Sequence, residues 1–205
     1  MRVIAGSAKG RPLHAPRGQA VRPTSDKIKG ALFAMLESLL FARRPAEEDD
    51  QPAGVWQGLR WLDLYAGSGA LAIEALSRGA AGADIVEASR TACQVIKRNL
   101  AETGLQAEAH VHCQTVQVAL AGESGLLSAE GYDIIALDPP YADPNVLAVL
   151  RKLADSRLLR RGGLLAVEHS RRVGLPDNVA GLARLRERVH GDTVISIYAA
   201  EEATG

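Results

Sequence analysis

Reactive and ligand-binding residue types gather in a few stretches of this chain: Asp63 ahead of the glycines in A-G-S-G at 66–69, Glu87, and the tetrapeptide Asp138-Pro139-Pro140-Tyr141. Gly67 and Gly69 stand where an apolar run gives way to a helical pattern. Without side chains there, backbone amides can approach a ligand and the turn can take positive φ. The third glycine of a dinucleotide fingerprint is missing, since Ala72 occupies its place, so the glycine pair alone fits a tight turn that binds nothing equally well. The acids shift the balance. Asp63 sits inside the strand end, and Glu87 follows about 20 residues beyond the loop at the tip of the next extended run, where a carboxylate accepts both ribose hydroxyls of an adenosine. Acid, glycine loop and acid together point to an adenosine-containing cofactor. Asp138 to Tyr141 close a continuous apolar run, and two prolines stop a sheet there by fixing φ and removing donors. Asp-Pro and Pro-Pro are also ordinary strand breakers. Their place argues for more, because all three motifs fall at the carboxyl ends of predicted strands, where open α/β sheets bind ligands.

The elements that must hold these residues read off the hydrophobic pattern. Residues 2–6 and 11–15 are short extended stretches split by Ser7, Lys9 and Gly10, which reads as a hairpin. Thr24 or Ser25 caps a helix over 24–40, with Ile28, Ala31, Leu32, Met35, Leu36 and Leu39 at helical spacing. An acidic, proline-rich loop covers 43–58. Beyond it, extended runs at 59–65, 83–88, 107–112, 133–137 and 163–169 alternate with helical patterns at 70–78, 90–103 and near 144–155. Such alternation specifies a parallel sheet with helices on both faces. The end of the chain departs from it, with two extended runs joined around Gly191-Asp192 as an antiparallel hairpin. The domain reading is a basic hairpin over 1–22, then one unit over 23–205.

Composition restricts the partners. At 205 residues, 47% hydrophobic and 23% charged, the chain suits a single folded enzyme domain. No apolar run approaches the length of a membrane span, and the first residues lack the apolar core of a leader, so a soluble cytoplasmic protein is expected. Cys93 and Cys113 lie far apart with no Cys-x-x-Cys, so neither a disulfide framework nor a metal site is expected. His110 and His112 alternate on one strand with no third ligand and read as ordinary strand residues. Glu168-His169 either touches substrate or lies on the surface. Net charge is zero, but Arg2, Lys9, Arg11, Arg17, Arg22, Lys27 and Lys29 face only Asp26 in the first 30 residues. This basic arm suits RNA phosphates or simply a solvated surface.

The D-P-P-Y sequence at a strand tip resembles the motif of S-adenosylmethionine-dependent amino-methyltransferases. More narrowly, RVIAGSAKGRPL, VRPTSDKIKGALFAML, WLDLYAGSGALAIEALSRGA, DPPY and the closing GDTVISIYA resemble, in order and spacing, the bacterial 16S ribosomal RNA guanine-N2 methyltransferases, the RsmD-like family. The resemblance implies a Rossmann-like class I fold with a seven-stranded mixed α/β sheet, S-adenosylmethionine as cofactor, and 16S rRNA or the small ribosomal subunit as partner. It further implies a monomer and no metal. By the same resemblance Asp63, Tyr65, Ala66, Gly67, Gly69 and Glu87 hold the cofactor, and Asp138, Pro139, Pro140 and Tyr141 hold the target base. Arg2, Lys9, Arg11, Arg17 and Arg22 contact RNA, and Thr24, from the loop laid over the cofactor, is either a contact or only a cap. The family often carries an acid or amide near the adenine after the third strand. This chain has His112-Cys113-Gln114-Thr115-Val116 instead, leaving the Thr115 side chain or the Val116 backbone for that contact. Two other targets share the chemistry, an adenine N6 amine and a glutamine amide, and a catalytically inactive RNA-binding module shares the fold.

Overall fold

The computed structural model describes residues 1–16, 25–43, 54–121, 127–140 and 145–200. Eight strands form one sheet: β1 (Arg60–Leu64), β2 (Gly82–Glu87), β3 (Ala109–Cys113), β4 (Tyr132–Leu137), β5 (Leu159–Ser170), β6 (Asn178–Val179), β7 (Leu182–His190) and β8 (Thr193–Ala200). Their order is β3-β2-β1-β4-β5-β8-β7-β6. The first five in that order run parallel, and β8, β7 and β6 are antiparallel. The sequence predicts seven strands. The eighth is β6, two residues on the edge of β7, too short to leave a periodic signal.

Central strands are buried on both faces, which is why they read as unbroken apolar runs. Successive residues alternate between two cores: Trp61, Ile134 and Ala136 point into one, and Leu62, Ile135 and Leu137 into the other. Helices α1 (Asp26–Ala42), α2 (Ala70–Ser77) and α3 (Arg90–Thr103) cover the first face. The four-residue α4 (Val116–Ala119) and α5 (Val146–Asp155) cover the second. Ser25 is the cap of α1, accepting from the Ile28 N–H at 3.2 Å. Phe33 of α1 stacks on Trp61 at 5.5 Å between ring centroids, which seats that helix on the sheet.

Among the described residues the basic arm forms a single antiparallel bridge, between Arg2 and Pro12, with backbone bonds from Val3 N to Arg11 O, from Gly10 N to Val3 O and from Leu13 N to Met1 O. What fixes it is α2. The buried Glu74 carboxylate accepts from the Ile4 N–H at 2.8 Å and the Ala5 N–H at 3.0 Å, and pairs with the equally buried Lys29 ammonium at 3.0 Å. Ser77 Oγ donates to Ala5 O and accepts from Ala8 N. Gly6 passes so close that a Cβ there would lie 1.7 Å from Ser77 O, at a φ of +82°. Only glycine fits that crossing.

Contrary to the sequence expectation, Cys93 and Cys113 form a disulfide, with Cα atoms 6.1 Å apart. Spacing of 20 residues gave no hint of it, because the pair meets only once the first turn of α3 packs beside the end of β3. Among the described residues no helix is long and apolar enough to cross a membrane, and no group of three or more His, Cys, Asp or Glu could hold a metal.

Candidate active site

Strand order reverses between β1 and β4, and a crevice forms at such a switch point beyond the carboxyl ends of the strands. There β1 runs into Tyr65, whose φ of +65° is unusual for a side chain with a Cβ and is held by the loop around it. Ala66 N donates to Val86 O of β2 at 3.1 Å, and Gly69 N closes the loop onto Ala66 O at 2.8 Å. Gly67 has φ +57° and open space where a Cβ would project, as a ligand cradle requires. At Gly69, φ +76°, a Cβ would lie 3.1 Å from the Ile96 side chain, so that glycine serves the packing of α2 against α3.

Three carboxylates surround this loop. Glu87, at the tip of β2, accepts from Gly67 N through one oxygen and from Ser89 N through the other, both at 2.8 Å. Each oxygen keeps a second lone pair for a hydroxyl. Asp63 is buried beneath the loop, with Oδ2 accepting from Ala72 N at 3.1 Å and Oδ1 lacking a hydrogen-bond partner among the described residues. Burial pushes its carboxyl up to about 8. The Ala72 N–H opposes this rise, and the negative charges of Asp138 and Glu87 add to it. Asp138 follows β4, half-buried, and its N–H reaches back to Leu64 O at the end of β1 at 3.3 Å. That bond sets the acid and the buried Pro139 directly beside the glycine loop, with Pro140 exposed at the rim. Tyr141 lies outside the described residues, as do Thr24, Arg17 and Arg22.

The remaining predicted residues divide. Thr115 caps α4, its side chain accepting from Val118 N at 3.3 Å, and Val116 is buried in the first turn, both just past the β3 tip that neighbours Glu87. His112 Nε2 donates to the Asp84 carboxylate at 2.7 Å, inside a buried cluster with the Tyr132 hydroxyl, which donates to the other oxygen. Of the pair Glu168-His169, Glu168 is half-buried and His169 does not lie on the surface. It is buried, with Nε2 2.9 Å from Ser196 Oγ and Nδ1 3.1 Å from Ser170 O, and burial holds its pKa down. On the arm Arg2, Lys9 and Arg11 are exposed, and Arg2 pairs loosely with Asp26 at 3.7 Å.

Asn99 escaped the sequence reading. Fully buried in α3, its amide nitrogen donates to His14 O and Ser68 O, each at 2.9 Å, and its oxygen accepts from His14 N at 2.9 Å. It ties the arm to the glycine loop. The available signal was an amide on the apolar face of an otherwise amphipathic helix.

The model of the family described as "Conserved hypothetical protein 95" matches residues 1–199. "Putative rRNA methyltransferase YlbH" of Bacillus subtilis is 36% identical over 198 residues, spanning 97% of this chain and 98% of that protein. "Ribosomal RNA small subunit methyltransferase D" of Escherichia coli is 30% identical, spanning 98% and 90%. The solved structure of "Putative methyltransferase yhhF" from Escherichia coli superposes with a TM-score of 0.77 at 31% identity, covering 98% of each chain.

Proposed function

The chain belongs to the Conserved hypothetical protein 95 family and is similar to the methyltransferase D proteins, and on that footing we propose that it transfers a methyl group from S-adenosylmethionine to the N2 amine of a guanine in 16S ribosomal RNA. The observation that carries the reading is the bond from Asp138 N to Leu64 O, which sets an acidic, proline-stiffened lip against the glycine loop.

The site suits that cofactor. Open space lies over Gly67, Glu87 keeps acceptor capacity for ribose hydroxyls, and the Asp63, Glu87 and Asp138 carboxylates favour a positively charged ligand. S-adenosylmethionine supplies an electrophilic methyl carbon on a sulfonium. An exocyclic amine is a poor nucleophile because its lone pair is delocalised into the ring. The Asp138 carboxylate and the Pro139 carbonyl accept its two N–H bonds, which turns the lone pair out of the ring and toward the methyl carbon. The prolines fix these acceptors before the base arrives, so orientation is settled in advance. Tyr141 offers an aromatic ring on which an unstacked base can stack, the Thr115 side chain or the Val116 backbone meets the adenine, and Thr24 is a further candidate for cofactor contact. Arg2, Lys9, Arg11, Arg17 and Arg22 hold RNA phosphates.

The test is incubation of the protein with labelled cofactor and small subunits from cells lacking this enzyme, followed by nucleoside analysis. N2-methylguanosine is the expected product. N6-methyladenosine or a labelled protein band overturns the target, and no incorporation at all overturns the activity.

A further inference from the structure

Cofactor residues occupy the tips of β1, β2 and β3, and the base-holding lip is at the tip of β4. In the sheet order, β5, β8 and β7 lie on the far side of that lip. A base held at Asp138 with the cofactor on one side must lead its ribose-phosphate chain over the other. The docked arm does not reach there with its turn: Ser7 N bonds Ser77 O at the C-terminal end of α2. Lys9 therefore sits about 12 Å along that helix from the glycine loop.

The far side carries its own charge. Arg171 and Arg172 follow the last residue of β5 and are exposed. Their backbone is fixed by bonds from Arg171 N to Asp192 O at 2.8 Å, Arg172 N to Ser170 Oγ at 3.2 Å and Val173 N to Ser170 O at 2.9 Å. On β7, Arg186 and Arg188 pair across with Ile197 and Ile195, whose side chains enter the α1-side core, so both arginines stand on that face. They line a groove of about 330 Å³ with Ala34, Met35 and Ser38 of α1 and Glu187. The Glu187 carboxylate is engaged by Arg184 and the Ser196 hydroxyl. None of Arg171, Arg172, Arg186 or Arg188 forms an ion pair with a described residue, whereas Arg184 spends its guanidinium on Asp177 and Glu187. Arg188 is level with Ile195 of β8 and Glu168 of β5, so Arg171 lies two strand spacings across and three residues further along, about 10 Å in each direction in the plane of the sheet. The arginines therefore cluster at the end of the sheet where β5 finishes and β7 turns into β8.

We propose that Arg171, Arg172, Arg186 and Arg188 form a phosphate-binding ledge that grips the RNA backbone on the side of the target base away from the cofactor. The inference rests on RNA being the substrate. Guanidiniums on a fixed turn and strand that meet no described carboxylate, Arg186 donating only to Leu185 O at 3.0 Å, suit phosphate oxygens, and an RNA chain gripped both there and at the arm spans the active site between them.

The experiment compares wild type, Arg171→Gln/Arg172→Gln, Arg188→Gln and a control, Arg157→Gln, an exposed residue two positions before β5 begins at the opposite end of the sheet. Binding to protein-free 16S rRNA and to small subunits from cells lacking this enzyme is measured across salt concentrations, with cofactor affinity by calorimetry and methylation kinetics alongside. The double variant should lower the slope of log K against log salt by about 1.5, and Arg188→Gln by about 0.8, with KM for RNA raised and cofactor affinity and thermal midpoint unchanged. Lysine at the same positions should restore most of the slope. An unchanged slope in the ledge variants, or an equal fall in the control, overturns the ledge. Loss confined to assembled subunits overturns it in favour of a ribosomal protein contact. If wild type neither binds nor methylates either the protein-free RNA or the small subunit, the substrate reading itself has failed, and that outcome is visible before any variant is made.

Discussion

Asp63 gives the site a proton to lose. Its carboxyl is pushed up to about 8 by burial and by the charges of Asp138 and Glu87, so at pH 7 about nine-tenths of molecules carry it neutral. A cofactor bearing a sulfonium and an ammonium favours the ionised form. Binding should therefore release about 0.9 proton at pH 7, about 0.5 at pH 8 and about 0.1 at pH 9. Calorimetric titration in buffers of different ionisation enthalpy measures this number as a slope, and Asp63→Asn should abolish it. The same group sets a stability profile. Unfolded, the carboxyl ionises near its ordinary 3.8, and folded it stays neutral to about 8, so the native state holds the extra proton across that window. Stability from this group is undiminished below pH 4 and falls as pH rises toward 8, by on the order of 5 kcal/mol in all. Asp63→Asn should flatten that decline and raise the thermal midpoint at pH 8 relative to wild type. No proton release in the wild type at pH 7, or full release in Asp63→Asn, refutes the reasoning.

The remaining predictions concern the framework. Asn99→Ala removes three hydrogen bonds joining His14 to Ser68 and should cost about 2–4 kcal/mol in denaturant unfolding, with weaker cofactor binding by calorimetry. Glu74→Gln leaves Lys29 as an uncompensated buried ammonium, so a loss of about 3–5 kcal/mol is expected, together with faster proteolysis within residues 1–16. Reduction of Cys93–Cys113, or Cys93→Ser, should lower stability by about 3 kcal/mol, read as a drop in thermal midpoint with dithiothreitol; no drop would mean the pair is not bonded in solution.

Much of this architecture was legible because the parallel strands are buried on both faces and so appear as unbroken apolar runs between amphipathic helices. Observed bounds for β1, β4 and α3 fall within two residues of those predicted. The glycine loop, Glu87 and Asp138 were legible for a related reason: each interrupts an apolar run at its carboxyl end, where the fold concentrates ligand contacts. What stayed hidden depends on contacts far apart in sequence. The arm looked like a free hairpin because its real partners, Glu74 and Ser77, are about 70 residues away on a helix. Cys93 and Cys113 meet through packing of α3 on the sheet. His169 sat at a predicted strand end and was read as a substrate or surface residue, yet β8 pairs alongside and buries it against Ser196. β6 and α4 are too short to show any period.

The proposed methyl transfer turns on the lip formed by Asp138 and Pro139. Single-turnover methylation by Asp138→Ala, with cofactor affinity measured on the same preparation, tests it most directly. The rate should fall by about 100- to 1,000-fold, as for loss of a preorganised hydrogen-bonding group at a reacting centre, while cofactor affinity holds at the wild-type value. A variant that methylates at the wild-type rate, or one that loses the cofactor and keeps its turnover, would contradict the assignment.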